Sequence, residues 1–587
     1  NPIKETDITL SEKYPKLNPG QQEAVARIRD FLSSPSKLVW KDKEYDQLEA
    51  AGLISSHTGD EAFQICKEYV LQNSFLFTGG PGYGKTYASE VITEVFELDF
   101  CAPTYQACAV LSENLSGSIV STLASLLGTA KLDRVTNDQG SDDFYLRSID
   151  SIASTYSATG MLPGIFTGDC FMIDEASMVG GNNKKPRTIS IRENGVQRSV
   201  TLSNDTFVAI VCRLQDRVMH HGQFNCSPLP SKFLFLGDID QTPPVGTDHD
   251  DDALLLERLL SHQNDHHELT ELMRTDKPDI KYLIEAYKEE LRRLRKLRKE
   301  QGILSTDSRA NANTMIIPVP LRESSENVRY FKDAGKFVDQ FLELYKNRPE
   351  QYKYNPNYVS IVNYNREAHV RTVQFVDRIR TRMFGDPKVK YYKGETLLSR
   401  SNFTASTSAL KAVTVDKDSR VFVVSVEQGR LSRILPSRLK ISINLPRLTL
   451  QYGEDRIQVY AASKEFIDTI NHIANDNRYS NKAMHLKKAE QEFFGLTSNI
   501  LHYSQWLQLA SCAPDFGYAY VVNNFKIQGS SLRYSMVDEG NILSAPVSPK
   551  KRLQYVYTGL SRAREKVFIL NPVNLYDAEQ ICANETT

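Results

Sequence analysis

The run SFLFTGGPGYGKTYASEVITEVF, residues 74–96, decides the fold. Its first five residues, SFLFT, form a short, nearly continuous apolar stretch, which reads as a strand buried on both faces in a parallel sheet. Its last ten, YASEVITEVF, place apolar residues at helical spacing. Between them GGPGYGKT, residues 79–86, fills the whole pattern G-x-x-x-x-G-K-T at a strand-to-helix junction. That chemistry needs these residue types in this order. The glycines and Pro81 and Tyr83 (Gly79, Gly80, Gly82 and Gly84 among them) let backbone N–H groups wrap phosphates, and the helix start adds its dipole. Lys85 reaches the terminal phosphates and Thr86 offers a hydroxyl to Mg²⁺. A loop whose glycines merely served a tight turn would leave Lys85 unexplained.

Outward from this stretch, three further strands are expected at FCAP (100–103), CFMI (170–173) and KFLFL (232–236), with a helix over residues 107–115. Strands that alternate with helices and deliver polar residues at their carboxyl ends describe a parallel α/β sheet with a ligand crevice at those ends. Asp174 and Glu175 follow CFMI. Asp174 reads as a Mg²⁺ ligand and Glu175 as the base that orients water, although an acidic pair standing alone is as often a helix cap. In GDIDQTPPV, residues 237–245, the Gln241 amide can accept from water and donate to a γ-phosphate oxygen, while the two prolines equally describe a stiff turn. Near the carboxyl end, YTGLSRAR (557–564) supplies Arg562 as a cation that meets the γ-phosphate on closure of two lobes, and LTELMRT (269–275) supplies Arg274 as the second choice.

The remaining chain divides around these blocks. Residues 1–73 hold a helix over 17–32 and belong with lobe one, 74–285. That lobe carries insertions at 129–165, with Phe144 and Tyr145, and at 181–205, where TISIRENGVQRSVTL alternates about Asn194 and Gly195 as a hairpin does. Residues 286–357 are a connector opening on the basic helix AYKEELRRLRKLRKE, either a solvated face or a contact to a nucleic-acid backbone. A second lobe is expected at 358–392 and 510–587, from the strands YVSIV (358–362) and YAYVV (518–522). It is interrupted by 393–509, a β-rich module over 393–460 followed by a polar helical segment with Trp506.

A chain of 587 residues has room for several domains. With 71 Lys and Arg against 72 Asp and Glu, any nucleic-acid surface must be a local groove and not a basic footprint spread over the molecule. The eight cysteines form no C-x-x-C and no zinc spacing, so neither a disulfide framework nor a structural zinc is expected. No membrane span or secretory signal is indicated, and a cytosol-like setting is the expectation.

In their order along the chain these blocks resemble superfamily 1 helicases, with the RecD/Dda-like branch, including phage Dda-type helicases, as the nearest likeness. LNPGQ resembles the adenine-side motif with Gln21 as reader. GGPGYGKT, APTYQACAVL, IDEAS and GDIDQTPPV are similar to motifs I, Ia, II and III. NNFKIQGSSL resembles motif V, with Lys526, Gln528 and Gly529 at matched positions, and YVYTGLSRAREKVFIL resembles motif VI. The resemblance implies an α/β fold of two RecA-like P-loop NTPase lobes, with a pin-like insertion in lobe one, for which Phe144 and Tyr145 are tip choices, and a small SH3-like β insertion in lobe two. It further implies ATP and Mg²⁺ at the cleft and 5′ to 3′ movement on single-stranded DNA, with unwinding of forked duplex. The strand would be touched by Thr104 and Thr122 on one lobe and by Asn523, Phe525 and Lys526 on the other. A monomer in bacterial or phage-infected cytoplasm, working with replication or recombination proteins, is implied too, or a nuclear setting in a eukaryote. Two departures stand out: Phe525 occupies the place of a family His in motif V, and Thr122-Leu123-Ala124 lacks the His of T-x-H. Asn363 and Asn365 are alternative motif IV positions. An RNA-directed helicase, a translocase that does not unwind and a non-catalytic DNA-binding scaffold are the other readings.

Overall fold

The computed structural model describes residues 17–40, 43–44, 59–93, 96, 98–104, 107–108, 111–112, 115, 120–131, 144–149, 152, 168–180, 188–193, 196–202, 206–224, 232–241, 259, 265–301, 324–477, 483–528, 530–547 and 549–570.

Six parallel strands form the first sheet: β1 (Ser74–Gly79), β2 (Asp99–Ala102), β3 (Val120–Thr122), β4 (Cys170–Ile173), β5 (Lys232–Gly237) and β6 (His266–Leu269), in the order β6-β1-β5-β4-β2-β3. Every residue of β1 and β5 is buried, as two-faced apolar strands require. Helices α1 (Pro19–Ser33), α2 (Gly59–Gln72), α3 (Lys85–Thr93) and α4 (Thr206–Phe224) accompany this sheet, α1 and α3 contributing to one core and α2 and α4 to another. The P-loop leaves β1, Asp174 leaves β4, Asp238 leaves β5 and Arg274 follows β6, so the parallel topology gathers them at one sheet end.

Helix α5 (Pro278–Gln301) carries the basic run, and part of that run is turned into the fold and not toward solvent. Tyr287, Leu291 and Leu294 are buried, and the cations pair inward: Lys288 with Glu268 at 3.2 Å, Arg292 with Glu268 at 3.1 Å and Arg295 with Asp240 at 3.0 Å. Its start is bonded through Asp279 to Asn327, and its middle through Tyr287 to Glu539 of lobe two.

Five parallel strands make the second sheet: β7 (Val328–Phe331), β8 (Val359–Asn363), β9 (Val521–Asn523), β10 (Leu532–Asp538) and β11 (Ala563–Leu570), ordered β7-β11-β10-β8-β9. Helices α6 (Ala334–Lys346), α7 (Val370–Phe384) and α8 (Pro549–Leu560) lie with it. Two expectations are corrected here. β7 and α6 join this sheet, so lobe two begins ahead of residue 358, inside the segment read as connector. The run read as one strand over 518–522 divides, because Phe516–Tyr518 pairs antiparallel with Thr396–Ser399 whereas β9 pairs with β8.

Between the parts of lobe two stands a seven-stranded antiparallel sheet that includes the long hairpin Arg420–Ile434 and Lys440–Tyr452. One apolar core lies within it, and a second packs the far half of the hairpin against helices Lys464–Asp476, Lys488–Phe494 and Tyr503–Ala510. In lobe one the two insertions share a single four-stranded sheet, and the hairpin expected at 188–202 is present. Tyr145 lies within its strand Phe144–Leu146 with Leu202 and Ala130 as partners on either side, and Phe144 opens that strand opposite Lys131. Among the described residues no helix is long and apolar enough to cross a membrane.

Candidate functional site

The P-loop takes its shape from two glycines with left-handed backbone, Gly82 at φ 86° and Gly84 at φ 85°. Space is short there as well: a Cβ on Gly82 would strike the Arg274 Cβ, and one on Gly84 would displace the Gln21 amide. Gln21 closes a reciprocal cap at the start of α1. Its N–H donates to Asn18 Oδ1 at 2.8 Å while its Oε1 accepts the Asn18 N–H at 2.9 Å. The remaining amide donor goes to the Gly84 carbonyl at 3.2 Å, which ties α1 to the loop.

Lys85 opens α3 and donates to the carbonyls of Gly79 at 2.5 Å and Gly80 at 3.2 Å. Burial pushes its pKa down, against the opposing fields of Asp238, Glu175 and Asp174. Lys85, Thr86, Asp174 and Glu175 line one cavity of about 480 Å³ together with Gln241, Arg274 and Arg562. The Asp174 carboxyl is pushed up to about 6, first by burial and then by the Glu175 charge, with Lys85 opposing. Glu175 has left-handed backbone at φ 50° and donates its N–H to Asp174 Oδ1 at 2.9 Å, which pins the pair together. A hydroxyl and a half-buried carboxylate on one cavity wall are hard oxygen donors, and a carboxyl whose pKa is raised is one that a divalent cation would hold ionised. Thr86 and Asp174 therefore fit Mg²⁺.

Lobe two closes the far wall. Arg562 is 1% exposed and donates to Gln241 Oε1 at 2.8 Å and to the Thr558 carbonyl at 3.2 Å. Arg274 of lobe one donates to the Ser561 carbonyl at 2.6 Å, and its pKa is pushed down to about 9 by burial and then by the neighbouring charges of Arg562 and Arg564. Three residues escaped the sequence reading. Arg564 lines the same cavity and donates to Ser531 Oγ at 2.9 Å. Asp238 and Tyr557 are bonded to each other across the lobes at 2.8 Å. Only Arg564 had a signal, its place two residues after Arg562.

The strand-contact choices lie elsewhere and have local partners. Thr104 Oγ1 accepts the Ala107 N–H at 3.2 Å and Thr122 Oγ1 the Ser125 N–H at 3.1 Å, while Asn523 caps a short helix through the Lys526 N–H at 3.0 Å. Phe525 sets its ring edge against Tyr555, with centroids 6.0 Å apart. The Lys526 ammonium pairs with Asp418 of the antiparallel module at 3.2 Å. Asn363 is buried and donates to Thr372 at 2.9 Å. Gly529, Thr242, Pro243 and Pro244 lie outside the described residues, as does the side chain of Phe144.

A P-loop at the carboxyl end of a parallel strand, with an acidic pair at the same end of the next strand but one, defines the α/β P-loop NTPase fold. Residues 63–185 match the family model described as an AAA domain. Among solved structures the chain is similar to a Pif1 helicase from Bacteroides in complex with ADP-AlF3 and ssDNA, at 15% identity over 92% of this chain and 97% of that chain, TM-score 0.37. It is also similar to the Pif1 helicase from Candida albicans, at 15% identity over 89% of this chain and 98% of that chain, TM-score 0.36. No curated protein sequence matches the chain.

Proposed function

We propose that the chain is an ATP-driven motor, a superfamily 1 DNA helicase of the RecD/Dda-like branch, which moves 5′ to 3′ along single-stranded DNA and separates forked duplex. The observation that carries this reading is the bond from Arg562 to Gln241 at 2.8 Å, made across the lobes in the cavity that holds Lys85. A nucleotidase needs only the P-loop and its acidic pair. A motor needs the second lobe to sense the terminal phosphate.

In this mechanism the P-loop N–H groups and Lys85 hold the β- and γ-phosphates, with Gln21 on the adenine side. Thr86 and Asp174 would hold Mg²⁺, which when bound would supply positive charge to offset that of the phosphates. Glu175 orients the attacking water and takes its proton, while Gln241 bridges that water and the γ-phosphate. Arg274 and Arg562 stabilise the charge that spreads over the phosphoryl oxygens as the bond to the leaving phosphate breaks. Their release after hydrolysis opens the lobes and shifts grip between Thr104 and Thr122 on one side and Asn523, Phe525 and Lys526 on the other. The four-stranded sheet of lobe one serves as the separating pin and the antiparallel module as the SH3-like element. The setting is the cytoplasm of a bacterium or phage-infected cell, with a monomer as the working unit.

Lys85→Ala tests the site: ATP hydrolysis is lost while single-strand binding stays within about threefold, because the variant leaves the strand contacts untouched. Unchanged hydrolysis in the purified variant refutes the assignment. Duplexes with a 5′ or a 3′ tail, in DNA and RNA versions, then separate the alternatives. Unwinding with RNA alone marks an RNA-directed helicase, and turnover without unwinding marks a translocase.

A further inference from the structure

Helix α8 of lobe two grips the loop after β5 of lobe one at successive points. The Gln554 amide donates to the Ile239 carbonyl at 3.3 Å and the Tyr557 hydroxyl to Asp238 Oδ2 at 2.8 Å, the two side chains standing three residues apart on one helix face. Beyond the helix, Arg562 reaches Gln241. Tyr557 also stands against the P-loop: a Cβ placed on Gly80 would lie 2.8 Å from its hydroxyl oxygen. The Gly80 carbonyl in turn accepts the Lys85 ammonium at 3.2 Å. One fully buried hydroxyl from lobe two therefore touches both loops that frame the terminal phosphates.

Asp238 is 1% exposed, and its carboxylate accepts the Asp240 N–H at 2.9 Å as well as the Tyr557 hydroxyl. A buried carboxylate that loses a donor must recruit another or stay uncompensated at considerable cost. Lys85 is a cation within its field. We infer that Tyr557 is a positioning residue whose hydroxyl satisfies Asp238 and so keeps that carboxylate from drawing Lys85 away from the γ-phosphate. Lobe two thereby sets how fully the P-loop cation is available to a nucleoside triphosphate, a control separate from the arginines. The inference rests on the reading above in taking that triphosphate as the ligand.

Tyr557→Phe removes the hydroxyl and keeps the buried ring. Equilibrium binding of fluorescent ADP and of a non-hydrolysable ATP analogue to the full chain is the measurement. The expected result is an affinity for the ATP analogue lower by about tenfold, with a smaller loss of about threefold or less for ADP, since a hydrogen bond to a charged group is at stake and ADP brings Lys85 its β-phosphate but no γ-phosphate. Asp238→Asn retains an acceptor for Tyr557 but no charge to compete for Lys85. It is expected to bind the analogue at least as tightly as wild type, and Tyr557→Phe added to it should cost no further selectivity. Equal losses for both nucleotides in Tyr557→Phe, or wild-type affinity for both, overturn the inference, as does a tenfold loss of the analogue in Asp238→Asn. A wild-type chain that binds neither nucleotide overturns the functional reading itself, and the two failures are thus distinguishable.

Discussion

At the cavity the charges differ in what their removal leaves behind. Arg562 is fully buried and is bonded to Gln241, so Arg562→Ala removes a cation and strips the Gln241 carbonyl of its donor. We predict that its steady-state ATPase kcat falls by about a thousandfold, the scale of an arginine that meets a transferring phosphoryl group, with nucleotide binding retained. Arg564 is exposed and bonded to a serine hydroxyl, and its replacement by Ala should cost no more than about tenfold in the same assay, because water can take over part of its role. The P-loop, the acidic pair, Gln241, Arg274 and Arg562 stand out in the sequence because each sits in a segment whose residue types answer to one chemistry, and the fold brings them to one cavity. Tyr557 was not legible, since a tyrosine inside a helix reads as core until its hydroxyl has a partner 319 positions away. Nor were the caps at Thr122 and Asn523, whose side chains satisfy backbone N–H groups that no motif announces.

Helix α5 shows what a charge pattern conceals. Its basic run looked solvated because the partners, Glu268 on β6 and Asp240 after β5, lie far off in sequence and reach it only when the first sheet forms. The same packing sets a pH dependence. The Asp240 carboxyl is pushed up to about 7, first by burial and then by Asp238, with Arg295, Lys288 and Arg292 opposing. A carboxyl whose folded pKa exceeds its unfolded value binds a proton more tightly in the folded chain. Its contribution to stability is therefore present in full below the ordinary Asp range and is lost as pH rises through about 7. We predict that wild-type stability declines between about pH 4 and pH 7 more steeply than that of Asp240→Asn, as urea unfolding followed at several pH values will measure. Parallel slopes for the two chains would show that Asp240 titrates normally.

For the whole molecule, the sequence disclosed two α/β lobes and a β-rich interruption, because strands such as SFLFT, KFLFL and YVSIV announce burial on both faces. It did not disclose where lobe two starts or where the module ends. VRYF and LRYSMVD mix polar and apolar residues and gain their identity only from the neighbours they pair with. The antiparallel module is also less separate than its sequence suggests. Asp418 in one of its turns holds Lys526 of lobe two at 3.2 Å, and the field of nearby Asp416 reaches Cys108 of lobe one. That acidic turn thus stands beside both lobes where the strand contacts are proposed. A phosphate that takes Lys526 must displace Asp418, so the free chain pays a toll to bind a strand. We predict that Asp418→Asn tightens binding of a fluorescent oligodeoxythymidine by about threefold at low salt, and that the gain shrinks at high salt because both partners are partly exposed and screened. Lys526→Ala should weaken binding and flatten the slope of log affinity against log salt by about 0.7, one phosphate contact on a single strand. If Asp418→Asn binds as wild type does while Lys526→Ala keeps the full slope, the strand passes elsewhere and the Lys526 pair only fastens the module to lobe two.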